Sequence, residues 1–189
     1  MKKNQEVFRS SLDYIGRKTT DILGQISPEV IQRVSSSFFK ARRIFVYGAG
    51  RSGLVSKAFA IRLVHLGFQT FVIGETIGAP IKKGDLVFLV SGSGETIPAV
   101  MTAEITRNIG ATLVVVTAKK HSRITQFADI VLTLSAECDD AERKKLAPLG
   151  TLFEASAWIL LDSIIAELMN NKKETEESMR SRHATLELP

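Results

Sequence analysis

A chain of 189 residues, 44% hydrophobic and 24% charged, fits one globular domain with room for helical arms. Its net charge is +5, and its basic doublets (Lys2-Lys3, Arg42-Arg43, Lys119-Lys120, Lys144-Lys145) are scattered and form no basic stripe, which argues against nucleic acid; a mildly positive surface suits a small anionic ligand and is also a common background value. One cysteine, Cys138, excludes an internal disulfide or a cysteine-cluster metal site, and beside Asp139 and Asp140 it reads as a bystander.

The N-terminus lacks the apolar core of a signal peptide. The longest apolar stretch, 155–169, is broken by Asp162 and Glu167 and is too short to span a bilayer. The expectation is a cytoplasmic chain that inserts in no membrane.

Phe8, Leu12, Ile15, Thr19 and Ile22 recur at helical spacing and predict an amphipathic helix over 4–24. A doubly wound sheet does not need this helix to close its core, which makes it a candidate for subunit packing. Ser27-Pro28-Glu29 places an N-cap before a proline and opens a second helix, through about Ala41. An alternating pattern follows: strand 43–48, helix 52–66, strand 69–73, strand 85–90, helix 96–109, strand 112–117, short helix 122–127 and strand 129–134. Gly67 and Gly110 stand where helix C-caps belong. A last helix runs from about 149 to 170. Trp158, Leu160, Leu161, Ile164, Ile165 and Leu168 in it read as core or subunit interface.

These elements predict an α/β fold: a five-stranded parallel sheet, doubly wound in the flavodoxin-like manner and covered on both faces. One domain holds all of it, with N-terminal helices (1–41), an α/β core (42–170) and a C-terminal tail (171–189).

Two loops carry the chemistry. Gly48-Ala49-Gly50-Arg51-Ser52-Gly53 leaves the first strand, and Ser91-Gly92-Ser93-Gly94-Glu95-Thr96 leaves the third. Backbone amides at such a turn, with a helix N-terminus behind them, form a ready anion site. In a flavodoxin-like strand order both loops flank the switch point where ligands bind. The hydroxyls of Ser52, Ser91, Ser93 and Thr96 are neutral donors suited to phosphate oxygens; their bland alternative is N-capping. Glu95 must turn its carboxylate away if phosphate binds there.

The first loop also fits G-x-G-x-x-G, and Glu75 stands about twenty residues further on, as a dinucleotide fingerprint requires. Little chain follows the fifth strand to build a substrate domain, and the fingerprint gives the second loop no role.

The two loops together resemble the SIS (sugar isomerase) domain of phosphosugar-binding proteins. Arg62-Leu63-Val64-His65-Leu66-Gly67, Gly74-Glu75-Thr76 and Pro148-Leu149-Gly150-Thr151-Leu152-Phe153-Glu154 are similar to the 6-phospho-3-hexuloisomerase branch of that family. So is the ending Arg182-His183-Ala184-Thr185-Leu186-Glu187, in which Thr185 replaces the more usual asparagine. The resemblance implies interconversion of D-arabino-hex-3-ulose 6-phosphate and fructose 6-phosphate in the ribulose monophosphate route of formaldehyde fixation. It also implies a homotetramer, no required cofactor, and functional pairing with a hexulose-6-phosphate synthase. Arabinose 5-phosphate isomerase and a non-catalytic phosphosugar sensor are the alternatives. The length favours the free-standing enzyme: the regulatory pair of domains carried by some of the former is not expected, nor is the helix-turn-helix domain of SIS regulators, for which the roughly forty residues before the first strand are too few.

Moving a carbonyl between adjacent carbons needs a base and a proton donor. Glu154, opening the last helix, is the expected base, as SIS isomerases place a glutamate there; a charge favoured by the helix dipole is its alternative. His183 in the tail is the second candidate, from its own or a neighbouring subunit, since imidazole changes charge near neutral pH. His65 is a third catalytic candidate, although core packing also explains it. Gly50, Arg51, Ser52, Glu75, Ser91, Ser93 and Thr96 are the expected substrate-binding residues. Three scattered histidines and one cysteine show no metal-ligand spacing.

Overall fold

The computed structural model describes residues 2–135 and 137–187; the last two residues of the expected tail lie outside it. Strands β1 (Ile44–Gly48), β2 (Thr70–Val72), β3 (Leu86–Val90), β4 (Thr112–Thr117) and β5 (Ile130–Thr133) form one parallel sheet in the order β2-β1-β3-β4-β5. The expected fold class and flavodoxin-like order are both present. All five residues of β3 are buried, because a central parallel strand is covered on both faces and must be apolar throughout.

Helices α1 (Lys2–Leu23), α2 (Pro28–Lys40), α3 (Gly50–His65) and α6 (Thr151–Lys172) cover one face, packing on Ile44, Val46, Phe88 and Val116. Helix α4 (Ile97–Ile109) and the turn at Ile124–Gln126 cover the other, packing on Phe45, Val87, Leu89 and Val115. The alternation of side chains along each strand sends successive residues to opposite cores. Phe59 and Phe88 meet at 5.1 Å between ring centroids in the larger core, where truncating either costs about 3–5 kcal/mol.

Two local expectations are corrected. Helix α1 is not spare: Tyr14, Thr19 and Ile22 are buried against its own chain, and Ser11 Oγ donates to Leu146 O at 2.5 Å. Only its outer residues, among them Phe8 and Leu12, stay exposed. The sequence pattern also missed helix α5 (Asp140–Leu146), whose cap is Asp139 accepting from Glu142 N at 2.8 Å. The Asp-x-x-Glu cap signal was present, but the segment lacks the apolar periodicity that marks a longer helix. Within the expected tail (171–189), α6 runs on to Lys172 and helix α7 (Glu176–Arg180) buries Met179. Among the described residues, no single helix is long and apolar enough to cross a membrane.

The site follows from the register. Gly48 pairs with Val90, so the chain leaves β1 and β3 side by side at the carboxyl edge of the sheet.

Candidate active site

The first loop closes backbone against backbone. A Cβ on Gly48 would lie 2.6 Å from Ser52 O, and one on Gly53 2.6 Å from Gly48 O. Only glycine allows this approach. Buried Ser56 Oγ braces the joint, 3.1 Å from Tyr47 O and 2.9 Å from Ser52 O. Helix α3 starts at Gly50, earlier than expected, so the loop is itself the first helical turn. Its cap position is Ala49, which has no side-chain hydrogen bond to offer.

The second loop also needs its glycines, here against side chains. A Cβ on Gly92 would meet Phe153 Cδ1 at 2.9 Å, so the loop rests directly on the first turn of α6. Gly94 has φ +66°, and a Cβ there would lie 2.2 Å from Ser122 Oγ. Thr96 holds the cap position of α4 but makes no capping bond; its hydroxyl lies 3.3 Å from Ser93 Oγ. Neither helix start is closed by a side-chain cap, which leaves first-turn amides for an anion. The Glu95 carboxylate does turn away, accepting from Arg123 N at 3.0 Å.

The third wall is the turn into α6. Leu149, with φ 57°, occupies the left-handed region that non-glycine residues rarely enter. Thr151 Oγ1 donates to Pro148 O at 2.6 Å, and Arg143 Nη1 donates to Leu149 O at 3.3 Å. Glu154 curls back over Gly150, where a Cβ would touch its Oε1 at 3.0 Å. Its carboxylate accepts from Arg51 Nε, joining the first loop to α6. The side chain of Glu154 is 14% exposed and that of Arg51 is 72% exposed.

These walls enclose a cleft of about 490 Å³. Ser52, Ser91, Ser93, Thr96 and Glu154 all line it. Arg51 joins them through Glu154, and Gly50, with φ +57°, begins the helical turn beside them. Glu75 is not brought in: it pairs with Lys57 Nζ at 2.6 Å on the exposed surface beyond β2. His65 and His183 lie elsewhere too. At a rise of roughly 1.5 Å per residue, His65 is about 22 Å along α3 from Gly50. There the rings of His65 and His183 stack, with centroids 4.0 Å apart and planes 19° apart.

Sequence reasoning missed Lys119, Arg143 and Phe153 in the cleft wall, and Cys138, read as a bystander, lines it as well. The α5 cap was the one local signal for Arg143. Among the described residues, no three of His, Cys, Asp and Glu gather as a metal-binding set.

The SIS domain family model matches residues 37–151, which span the whole sheet and both loops. The chain belongs to the SIS domain family. A protein of Methylomonas aminofaciens named 3-hexulose-6-phosphate isomerase is 36% identical over 188 residues, covering 99% of this chain and all of that one. One of the same name from Bacillus subtilis is 35% identical over 165 residues, 86% of this chain and 89% of the relative. A protein of known crystal structure from Methanococcus jannaschii, for which a 3-hexulose-6-phosphate isomerase function was inferred, superposes with a TM-score of 0.83 at 32% identity. That superposition covers 93% of this chain and 98% of the other. These relatives extend the likeness past Thr151, where the family model stops.

Proposed function

We propose that this SIS protein is an isomerase interconverting D-arabino-hex-3-ulose 6-phosphate and fructose 6-phosphate. The observation that carries the reading is one cleft holding both a hydroxyl-lined pair of uncapped helix starts and the Glu154 carboxylate. The names of the bacterial relatives support the substrate.

The 6-phosphate sits on the amides of the two helix starts and the hydroxyls of Ser52, Ser91, Ser93 and Thr96, with Arg51 adding positive charge beside them. Glu154 takes the proton from C2, the carbon bearing the hydroxyl. The electron pair moves toward the C3 carbonyl and gives a 2,3-enediolate. Return of the proton at C3 leaves the carbonyl at C2. Substrate and product are isomers, so no electrons enter or leave. A second acid–base group must move the proton between O3 and O2.

His183, stacked on His65, is that group in our reading, and it acts in the cleft of another copy. The length of α3 supports this, since the pair cannot reach its own Glu154. The surroundings support it too: Ile61 and Val64 on α3 are exposed next to His65. A second exposed apolar stripe, Ile97, Met101 and Ile105 on α4, lies on the opposite face of the sheet. Two separate apolar faces suit a homotetramer of dihedral symmetry. The cytoplasm is the location this reading implies, with a hexulose-6-phosphate synthase supplying the substrate.

The test is a coupled assay. A separate synthase makes the hexulose phosphate from ribulose 5-phosphate and formaldehyde, and fructose 6-phosphate is followed with chelator present. Rapid product formation is expected. No product, with a sugar phosphate still raising the melting temperature, would recast the protein as a phosphosugar-binding module.

A further inference from the structure

We propose that Arg182 is a positioning residue for the His65–His183 pair, tying the C-terminal tail to the end of α3 so that the two rings are presented as one unit. The proposal rests on the reading that His183 takes part in the reaction.

Three observations meet on this one side chain. Arg182 Nη1 donates to His65 O at 2.8 Å, at the helix end where carbonyls lack partners and cations are favoured. The same guanidinium forks onto Glu174, with Nη1 to Oε2 and Nη2 to Oε1 each at 3.1 Å. Glu174 is itself held by Ser178 Oγ. The guanidinium also lies over Gly67: a Cβ there would sit 3.5 Å from Arg182 Cζ, and Gly67 has φ +77°. Helix α3, the link after α6 and the tail therefore converge on Arg182, and the very next residue is the stacked His183.

The fork explains why arginine is needed. A guanidinium offers several donors in a fixed plane, so it can bind a carboxylate and a carbonyl at once; an ammonium is a point charge and cannot reproduce that geometry. Without the clamp, the His183 ring rests on its stacking contact with His65 and on the local turn in which His183 N donates to Arg180 O at 3.1 Å, and a ring displaced by about 1 Å can cost a hundredfold in rate.

The experiment is a double-mutant cycle in kcat and KM on Arg182→Ala, His183→Ala and the double variant, with melting temperatures measured alongside. Arg182→Ala should lower kcat about tenfold to a hundredfold and leave KM within about twofold. Added guanidinium should restore part of that loss in Arg182→Ala and none in His183→Ala. The double variant should be no slower than His183→Ala alone, because Arg182 acts through that ring. If His183→Ala is fully active, the reading of His183 fails and takes the proposal with it. If His183→Ala is impaired while Arg182→Ala is normal, or while the two losses multiply, the role of Arg182 alone is overturned. Should Arg182→Ala not fold, Arg182→Lys carries the same cycle and must show the same non-additivity.

Discussion

Arg51 and Glu154, 103 residues apart in the chain, are joined by an ion pair that links the first glycine loop to the first turn of α6. The carboxylate is mostly enclosed while the guanidinium is largely in solvent, so the pair fixes the carboxylate more than the arginine. Glu154→Gln keeps the size of the side chain and removes its basicity. Turnover should fall about 10²- to 10⁴-fold, the usual contribution of a general base. Titration calorimetry with fructose 6-phosphate should show binding largely retained. Near-normal turnover would remove Glu154 from the role.

Ser93 faces the cleft beside Thr96 and serves no cap. If Ser93 binds the phosphate as proposed, its loss removes a hydrogen bond to a charged oxygen in both ground and transition state. Ser93→Ala should raise KM about tenfold with kcat changed far less, a difference of about 1.4 kcal/mol. An unchanged KM in steady-state kinetics would take this hydroxyl out of the phosphate cradle.

A site shared between copies can be tested by mixing. Glu154→Gln and His183→Ala proteins, each inactive alone, should regain activity after their subunits exchange. Random pairing makes half the dimers mixed, each with one intact site of two, so about a quarter of the normal rate returns. No recovery after verified exchange would mean that the two residues never share a site.

Gly94 has no room for a side chain and a backbone that disfavours one. Gly94→Ala should cost at least about 1–2 kcal/mol from the left-handed conformation alone. The clash with Ser122 should also shift the second loop, so KM rises as the melting temperature falls.

At the amino edge of the sheet, Arg43 grips Asp85 through Nη2 at 2.6 Å and Nε at 3.1 Å, while Lys82 N donates to the same carboxylate at 2.7 Å. Burial pushes the Asp85 carboxyl up, but Arg43, the Lys82 amide and the Arg42 charge outweigh it and hold the pKa below the ordinary value. A depressed folded pKa adds stability above the unfolded aspartate value of about 3.9, and that stability is lost as pH falls through the folded pKa. Arg43→Ala strands a buried charge and should cost about 3 kcal/mol at pH 7. Urea midpoints should show the gap between variant and wild type shrinking in strong acid.

Much of this was legible in the chain. The strand expected at 85–90 is β3 (Leu86–Val90), and the hydroxyls of the loops after β1 and β3 line one cleft, because strand exits and helix starts are local events. The resemblance to SIS isomerases singled out Glu154, and the structure puts its side chain in the same cleft wall. Glu75 follows β2 at the sheet's edge, as its place in the chain implied, while its exposed pairing with Lys57 was not legible in the sequence. Helix α5 and Arg143 escaped because short charged helices carry no periodic apolar signal.

The sequence by itself determined the element order, the parallel sheet and the hydroxyl-lined loops, since periodicity and turn chemistry act over a few residues. The tertiary structure decided what meets across long separations: Gly92 on Phe153, Arg51 on Glu154, and His65 under His183 at the far end of α3. Such contacts depend on how helices stack on the sheet, a property of packed shapes that no local run of residues encodes.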